Sequence, residues 1–144
     1  MAIDKSKEVI SSLTLINDKV QFKGEVESNT PLFIDYIPPF GDNAGYTSLE
    51  LFLLSLSSCV GTAMLVILRK MNKPVESFKI ESTGIRKNEH PTGFSSIKLM
   101  VNIKSKTMSG EEMQKVIKLS EPICPVLSMI KEQIEITINY TINE

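Results

Sequence analysis

Tryptophan is absent from the 144 residues, histidine occurs once, cysteine occurs twice, and the only arginines are Arg69 and Arg86. Two cysteines are too few for the disulfide scaffold on which small secreted domains rely. One histidine and two cysteines complete a tetrahedral zinc site only with several carboxylates or a second subunit, so no metal and no cofactor are expected. A basic surplus is also missing. Lys and Arg number 16 against 17 Asp and Glu, which is the wrong balance for a nucleic-acid partner. No basic run marks a polybasic membrane patch. The opening Met1 to Glu8 is polar and charged, without the apolar stretch of a secretory leader. A cytoplasmic chain with reduced thiols is therefore expected.

What is present suits a globular fold: 42% apolar and 23% charged residues. The length fits a single domain over residues 1–144, with a core that needs no staples. Alternating apolar residues predict strands through Val9–Leu15, Val20–Val26 and Leu32–Tyr36, with a two-residue hairpin turn at Asn17-Asp18. A loop rich in Pro, Gly and Asn follows from Ile37 to Tyr46.

Thr47-Ser-Leu-Glu50 matches a capping box and opens a helix predicted to reach Lys70 or Met71, with Pro74 beyond it. Leu51 to Leu68 carries no charge, so this helix should be nearly surrounded by protein. Eighteen uncharged residues also stand at the lower edge of a membrane span. Ser55, Ser57, Ser58 and Thr62 dilute the apolarity, and the flanking half-buried strand patterns need a helix to cover them. No membrane is therefore expected.

Phe78, Ile80 and Ser82, and then Ile97, Leu99, Val101 and Ile103, predict two further strands around a turn at Lys87–Gly93. Ser109 to Glu112 is a second capping box, opening a helix with Met113, Val116, Ile117 and Ile123 on its apolar side. Pro122 and Pro125 interrupt it, and a short helix restarts at Cys124-Pro125. Ile134, Ile136, Ile138, Tyr140 and Ile142 line a closing strand. This order predicts an α+β fold, a mainly antiparallel sheet with two main helices.

Chemistry, if the chain has any, centres on the thiols. Ser55, Ser58, Cys59 and Thr62 share a helix face, where hydroxyls can donate to a thiolate. Read alone, Cys59 fits better as a small buried hydrophobe than as a reactive thiol. Cys124 at a helix start faces unsatisfied N–H groups, a setting that lowers thiol pKa. Glu50 is accounted for by capping, His90 by an exposed turn, Arg69 by a helix end and Arg86 by a strand end.

The segment Thr47-Ser-Leu-Glu-Leu-Phe-Leu-Leu-Ser-Leu-Ser-Ser-Cys59 resembles the first cysteine motif of the OsmC/Ohr family. Leu119-Ser-Glu-Pro-Ile-Cys-Pro-Val126, with Ile136-Thr-Ile-Asn-Tyr140, resembles its second cysteine motif and closing strand, and His90–Ile97 its strand entry. The resemblance implies an intertwined, domain-swapped homodimer with two-cysteine sites at the interface. It implies thiol-dependent reduction of organic hydroperoxides, with Cys59 peroxidatic, Cys124 resolving, Glu50 a further catalytic residue and an external dithiol as reductant. Two departures stand out. The family's peroxidases carry an arginine in the N-terminal strands, where this chain offers Lys23 as the nearest cation by position. Their glutamate lies ten residues before the first cysteine; here that place is Leu49, and Glu50 is nine before. The chain thus resembles the less-characterised OsmC-like branch. The alternative function is a dimeric binding or redox-responsive protein without peroxidase turnover.

Overall fold

The computed structural model describes residues 4–144. The chain forms two compact units, Met1–Leu51 and Phe52–Glu144.

In the first unit β1 (Ser12–Leu15), β2 (Phe22–Glu25) and β3 (Leu32–Ile34) make an antiparallel sheet in that order. The expected two-residue turn at Asn17-Asp18 is replaced by a longer loop. Leu15 pairs with Phe22 and the Ile16 N–H still donates to the Gln21 carbonyl (2.9 Å), which leaves residues 17–20 as the loop. The Asn17 side chain closes this loop by accepting the backbone N–H groups of Lys19 (3.0 Å) and Gln21 (3.1 Å). An Asn bonded to the backbone ahead of it stabilises a wider turn than its sequence position suggests.

The loop after β3 is organised by Asp35, which is only 3% exposed. Its carboxylate accepts N–H groups from Tyr36 (2.7 Å), Asp42 (3.1 Å) and Ala44 (3.0 Å). These bonds, that from Ala44 foremost, favour the ionised form and hold the pKa below the ordinary carboxylate value. The turn is tight: a Cβ on Gly41 would lie 2.3 Å from Asp35 Oδ1. Among the described residues of this unit no apolar side chain is buried, and Leu13, Leu15, Phe33 and Phe40 are exposed.

A capping box starts α1 (Ser48–Lys70), as the sequence predicts: Thr47 N–H donates to Glu50 Oε1 (3.0 Å) and Glu50 N–H to Thr47 Oγ1 (3.2 Å). The boundary between the units falls in its first turn. The second unit then adds β4 (Ser77–Arg86), β5 (Phe94–Lys104), α2 (Gly110–Ser120), a 3-10 turn at Glu121–Ile123, α3 (Pro125–Ile130) and β6 (Glu135–Asn143). The sheet order is β4-β5-β6. β4 and β5 are antiparallel; β6 returns parallel to β5 after the helical crossover that a parallel pair requires. The other pairings are antiparallel, which gives the expected α+β class with a mainly antiparallel arrangement.

The register aligns Phe78, Ile80, Ser82 and Gly84 with Ile103, Val101, Leu99 and Ile97, and these with Ile142, Tyr140, Ile138 and Ile136. One face is therefore apolar, while Lys79, Thr83, Lys98, Asn102, Thr137 and Thr141 alternate onto the other. Leu99, Val101 and Ile103 are fully buried, each contributing about 1.5–3 kcal/mol. α1 crosses the apolar face closely at Gly61, where a Cβ would meet Phe78 at 3.3 Å and Ile80 at 3.4 Å. Its residues Leu56, Val60, Met64 and Leu68 are buried, as are Met113 and Val116 of α2.

On α1, Leu54 and Val66 are 51% and 39% exposed in the single chain. By length and apolarity α1 would also pass for a membrane span, yet one stripe of it is core. One expectation fails here: Ile123 is exposed rather than on the apolar stripe of α2. The helix ends at Ser120, and the tighter 3-10 winding rotates Ile123 off that stripe.

Gly84 permits one close contact. The Phe94 ring lies where its Cβ would be, 2.3 Å from Phe94 Cε1, and the same ring packs against Phe52 of α1 with centroids 5.9 Å apart. Gly84→Ala should displace the ring and cost about 1–3 kcal/mol. A urea unfolding midpoint equal to that of the parent would contradict this packing.

Candidate active site: a pair of thiols

Cys59 lies in the middle of α1, and Cys124 stands at the N-cap of α3, 65 positions further along the chain by their numbers. Each position follows from local rules. The uncharged run places Cys59 one residue before the buried Val60, so its side chain stands at the margin of the buried stripe and is half-buried. The prolines Pro122 and Pro125 stop one helix and start another, leaving Cys124 extended between them (φ −92°, ψ 106°). The fold of the second unit brings the two thiols near enough for Cys59 to bear on the titration of Cys124.

Cys124 is 1% exposed. Its Sγ accepts the Leu127 N–H at 3.5 Å, so the expected capping geometry is present. The expected consequence is not. Burial pushes the Cys124 thiol up to about 11, and the neighbouring Cys59 thiol pushes the same way. The N–H groups of Leu127 and Val126 pull downward and are outweighed. A helix start lowers a thiol pKa only where the sulfur is not also desolvated. Cys124 is therefore held as a thiol near neutral pH.

This has a measurable consequence. The folded chain keeps a proton on Cys124 that the unfolded chain releases at lower pH. The stabilisation is fully present below the ordinary thiol pKa and is lost as pH rises toward about 11. Stability should fall across that alkaline window, and Cys124→Ala should flatten the fall. Parallel pH profiles for both proteins would count against the buried thiol.

The hydroxyl stripe is arranged differently from expectation. Ser58 Oγ donates to the Ser55 carbonyl at 3.0 Å, within its own helix. Ser55, Ser58 and Thr62 are exposed. Glu50 is exposed and engaged with Thr47, whose backbone N–H and hydroxyl hold its carboxyl below the usual value. Lys23 pairs with Glu25 at 3.1 Å in the first unit. Arg86 donates through Nε to the Thr92 carbonyl (2.7 Å), fastening the turn that carries the exposed His90. Among the described residues no group of three or more His, Cys, Asp or Glu side chains is placed to hold a metal ion. Sequence reasoning missed Asp35, because a buried loop aspartate and an exposed turn aspartate carry the same local signal.

The chain matches the family model of the OsmC-like protein over residues 41–139. Among solved structures it is similar to a hypothetical protein from Aquifex aeolicus, at 25% identity over 94% of this chain and 96% of that one, with a TM-score of 0.81. An OsmC-like protein from Mycoplasma pneumoniae superposes with a TM-score of 0.84 at 19% identity, covering 99% and 100% of the two chains. An organic hydroperoxide resistance protein from Elizabethkingia anophelis, with thiocyanate bound, gives 0.75 at 16% identity over 94% and 96%. No curated protein matches the chain.

Proposed function

The chain belongs to the OsmC-like family, and on that premise we propose that it reduces organic hydroperoxides with its two cysteines, at the expense of an external dithiol. The observation that carries the reading is the placement, in one unit, of a half-buried Cys59 near a fully buried Cys124. The Cys59 thiolate attacks the terminal peroxide oxygen; the O–O bond breaks and the alkoxide leaves as the alcohol after taking a proton. Cys59 is left as the sulfenic acid. The Cys124 sulfur displaces its oxygen, which departs as water with the Cys124 proton, and the disulfide forms. The dithiol then returns both cysteines to thiols.

Glu50 is spent on its helix cap. No arginine precedes Arg69, and a lysine such as Lys23 lacks the planar bidentate fork of a guanidinium, so turnover should be slower than in arginine-bearing relatives. Support also comes from similar structures described as organic hydroperoxide resistance proteins.

The reading includes a homodimer in a cytoplasmic setting. The exposed Leu54 and Val66 of α1 and the bare sheet of the first unit are apolar surface for a second copy to cover. Light scattering at micromolar concentration should give a dimer; a monodisperse monomer would remove this part. The activity is tested by following cumene hydroperoxide with the purified protein and dithiothreitol. Consumption above the protein-free rate is expected, and its absence would leave the alternative, a dimeric binding or redox-responsive protein, as the better account.

A further inference from the structure

We propose that the loop 36–46 and the hairpin loop 17–20 open and close as one body, with the Asp35 carboxylate as the group that holds it shut. The proposal concerns the first unit alone and stands apart from the thiol chemistry.

The sequence explains why a side chain closes this loop. Pro38 and Pro39 have no N–H to donate, so closure falls to the second half of the loop. There the N–H groups run back to residues 33–37. Gly41 donates to the Ile37 carbonyl (3.1 Å), Asn43 to that of Tyr36 (2.9 Å) and Tyr46 to that of Phe33 (3.1 Å). Asp42 and Ala44 donate to Asp35 Oδ2 (3.1 and 3.0 Å), while Oδ1 accepts the Tyr36 N–H (2.7 Å). One carboxylate thus gathers both halves of the loop. Little slack remains for another arrangement. A Cβ on Gly41 would lie 2.3 Å from Asp35 Oδ1 and from the Tyr36 carbonyl oxygen, and one on Gly45 2.5 Å from the Phe33 carbonyl oxygen. Asn43 between them takes a left-handed φ of 54°.

Asp42 carries the coupling. Its backbone N–H is on Asp35, and its side chain pairs with Lys19 Nζ at 2.5 Å. The Lys19 backbone N–H is in turn on Asn17 Oδ1, the atom that closes the hairpin loop. Each of these two residues uses its backbone for its own loop and its side chain for the other loop. An ion pair of two half-exposed side chains adds little stability alone; here it ties two loops together. The charged groups that bear on this body are Lys19, Asp42 and Asp18. Removing the Asp35 charge leaves the Asp42 and Ala44 N–H groups without an ionised acceptor, frees the Asp42 backbone and so loosens Lys19. The Asp35 pKa lies below the ordinary carboxylate value. The hold is therefore present above that value and is lost as pH falls through the lower, folded one.

The test is amide hydrogen exchange of the full chain, followed by NMR at neutral pH. Asp35→Asn keeps the shape, but it has one acceptor oxygen and turns an NH2 group toward the loop's donors. Exchange of the Asp42 and Ala44 amides should rise about tenfold or more, and that of Lys19 and Gln21 about threefold. Val101 and Ile103 of β5 should exchange at the parent rate. In a Lys19→Met background the hairpin amides should no longer respond to Asp35→Asn. The parent gives a second reading without any variant. In acid below the ordinary carboxylate range, protection should fall in both loops together while β5 keeps its own. Parent rates at Asp42 and Ala44 in Asp35→Asn, or a response there with none at Lys19 and Gln21, would overturn the proposal. So would loss of protection throughout the parent chain at a single pH.

Discussion

Cys59→Ser should abolish cumene hydroperoxide consumption in the dithiothreitol assay, a loss of about a thousandfold or more. The size follows from the chemistry. A serine hydroxyl is scarcely ionised where a thiol forms thiolate, and oxygen does not pass through a sulfenic acid. The fold should survive, because the change is nearly isosteric at a half-buried position on the margin of the α1 core stripe. Circular dichroism of the variant should match the parent. Equal peroxide rates in the two proteins would reject the enzyme and favour the binding protein.

Cys124→Ser should separate oxidation from resolution. The first equivalent of peroxide should still be consumed, because Cys59 is intact. No intramolecular disulfide can follow, and Cys59 should climb to the sulfinic acid under excess peroxide. Mass spectrometry should find that product in the variant and little of it in the parent after the same exposure. The buried setting of Cys124 makes the contrast sharp, because in the parent its thiol stands near Cys59. A variant as resistant to over-oxidation as the parent would remove Cys124 from the cycle.

Much of the architecture could be read from short-range patterns. Both capping boxes form as their spacing predicts, since a hydroxyl at the N-cap and a carboxylate three residues on need no tertiary contact to meet. The alternation in β4, β5 and β6 marks the apolar face because side-chain direction in a strand has period two. The restart at Pro125 was legible for the same local reason.

What was hidden depends on contacts distant in sequence. Nothing in β6 itself says that it lies parallel to β5. Asn17 reaching to Gln21 and Asp35 reaching to Ala44 replace short-range turn rules with side-chain bonds. Cys124 is the instructive case for the site. Its N-cap position was readable and its local electrostatics were read correctly, but the burial that reverses their effect is a property of the packed unit. The pairing with Cys59 entered through family resemblance; in the second unit Cys59 lies near enough to bear on the titration of Cys124.

The most direct test of the two-thiol account is to treat the reduced protein with one equivalent of cumene hydroperoxide, block free thiols and map the peptides. The account predicts a Cys59–Cys124 disulfide formed within one chain and no free thiol remaining; both cysteines recovered as free thiols, with the peroxide unconsumed, would contradict it.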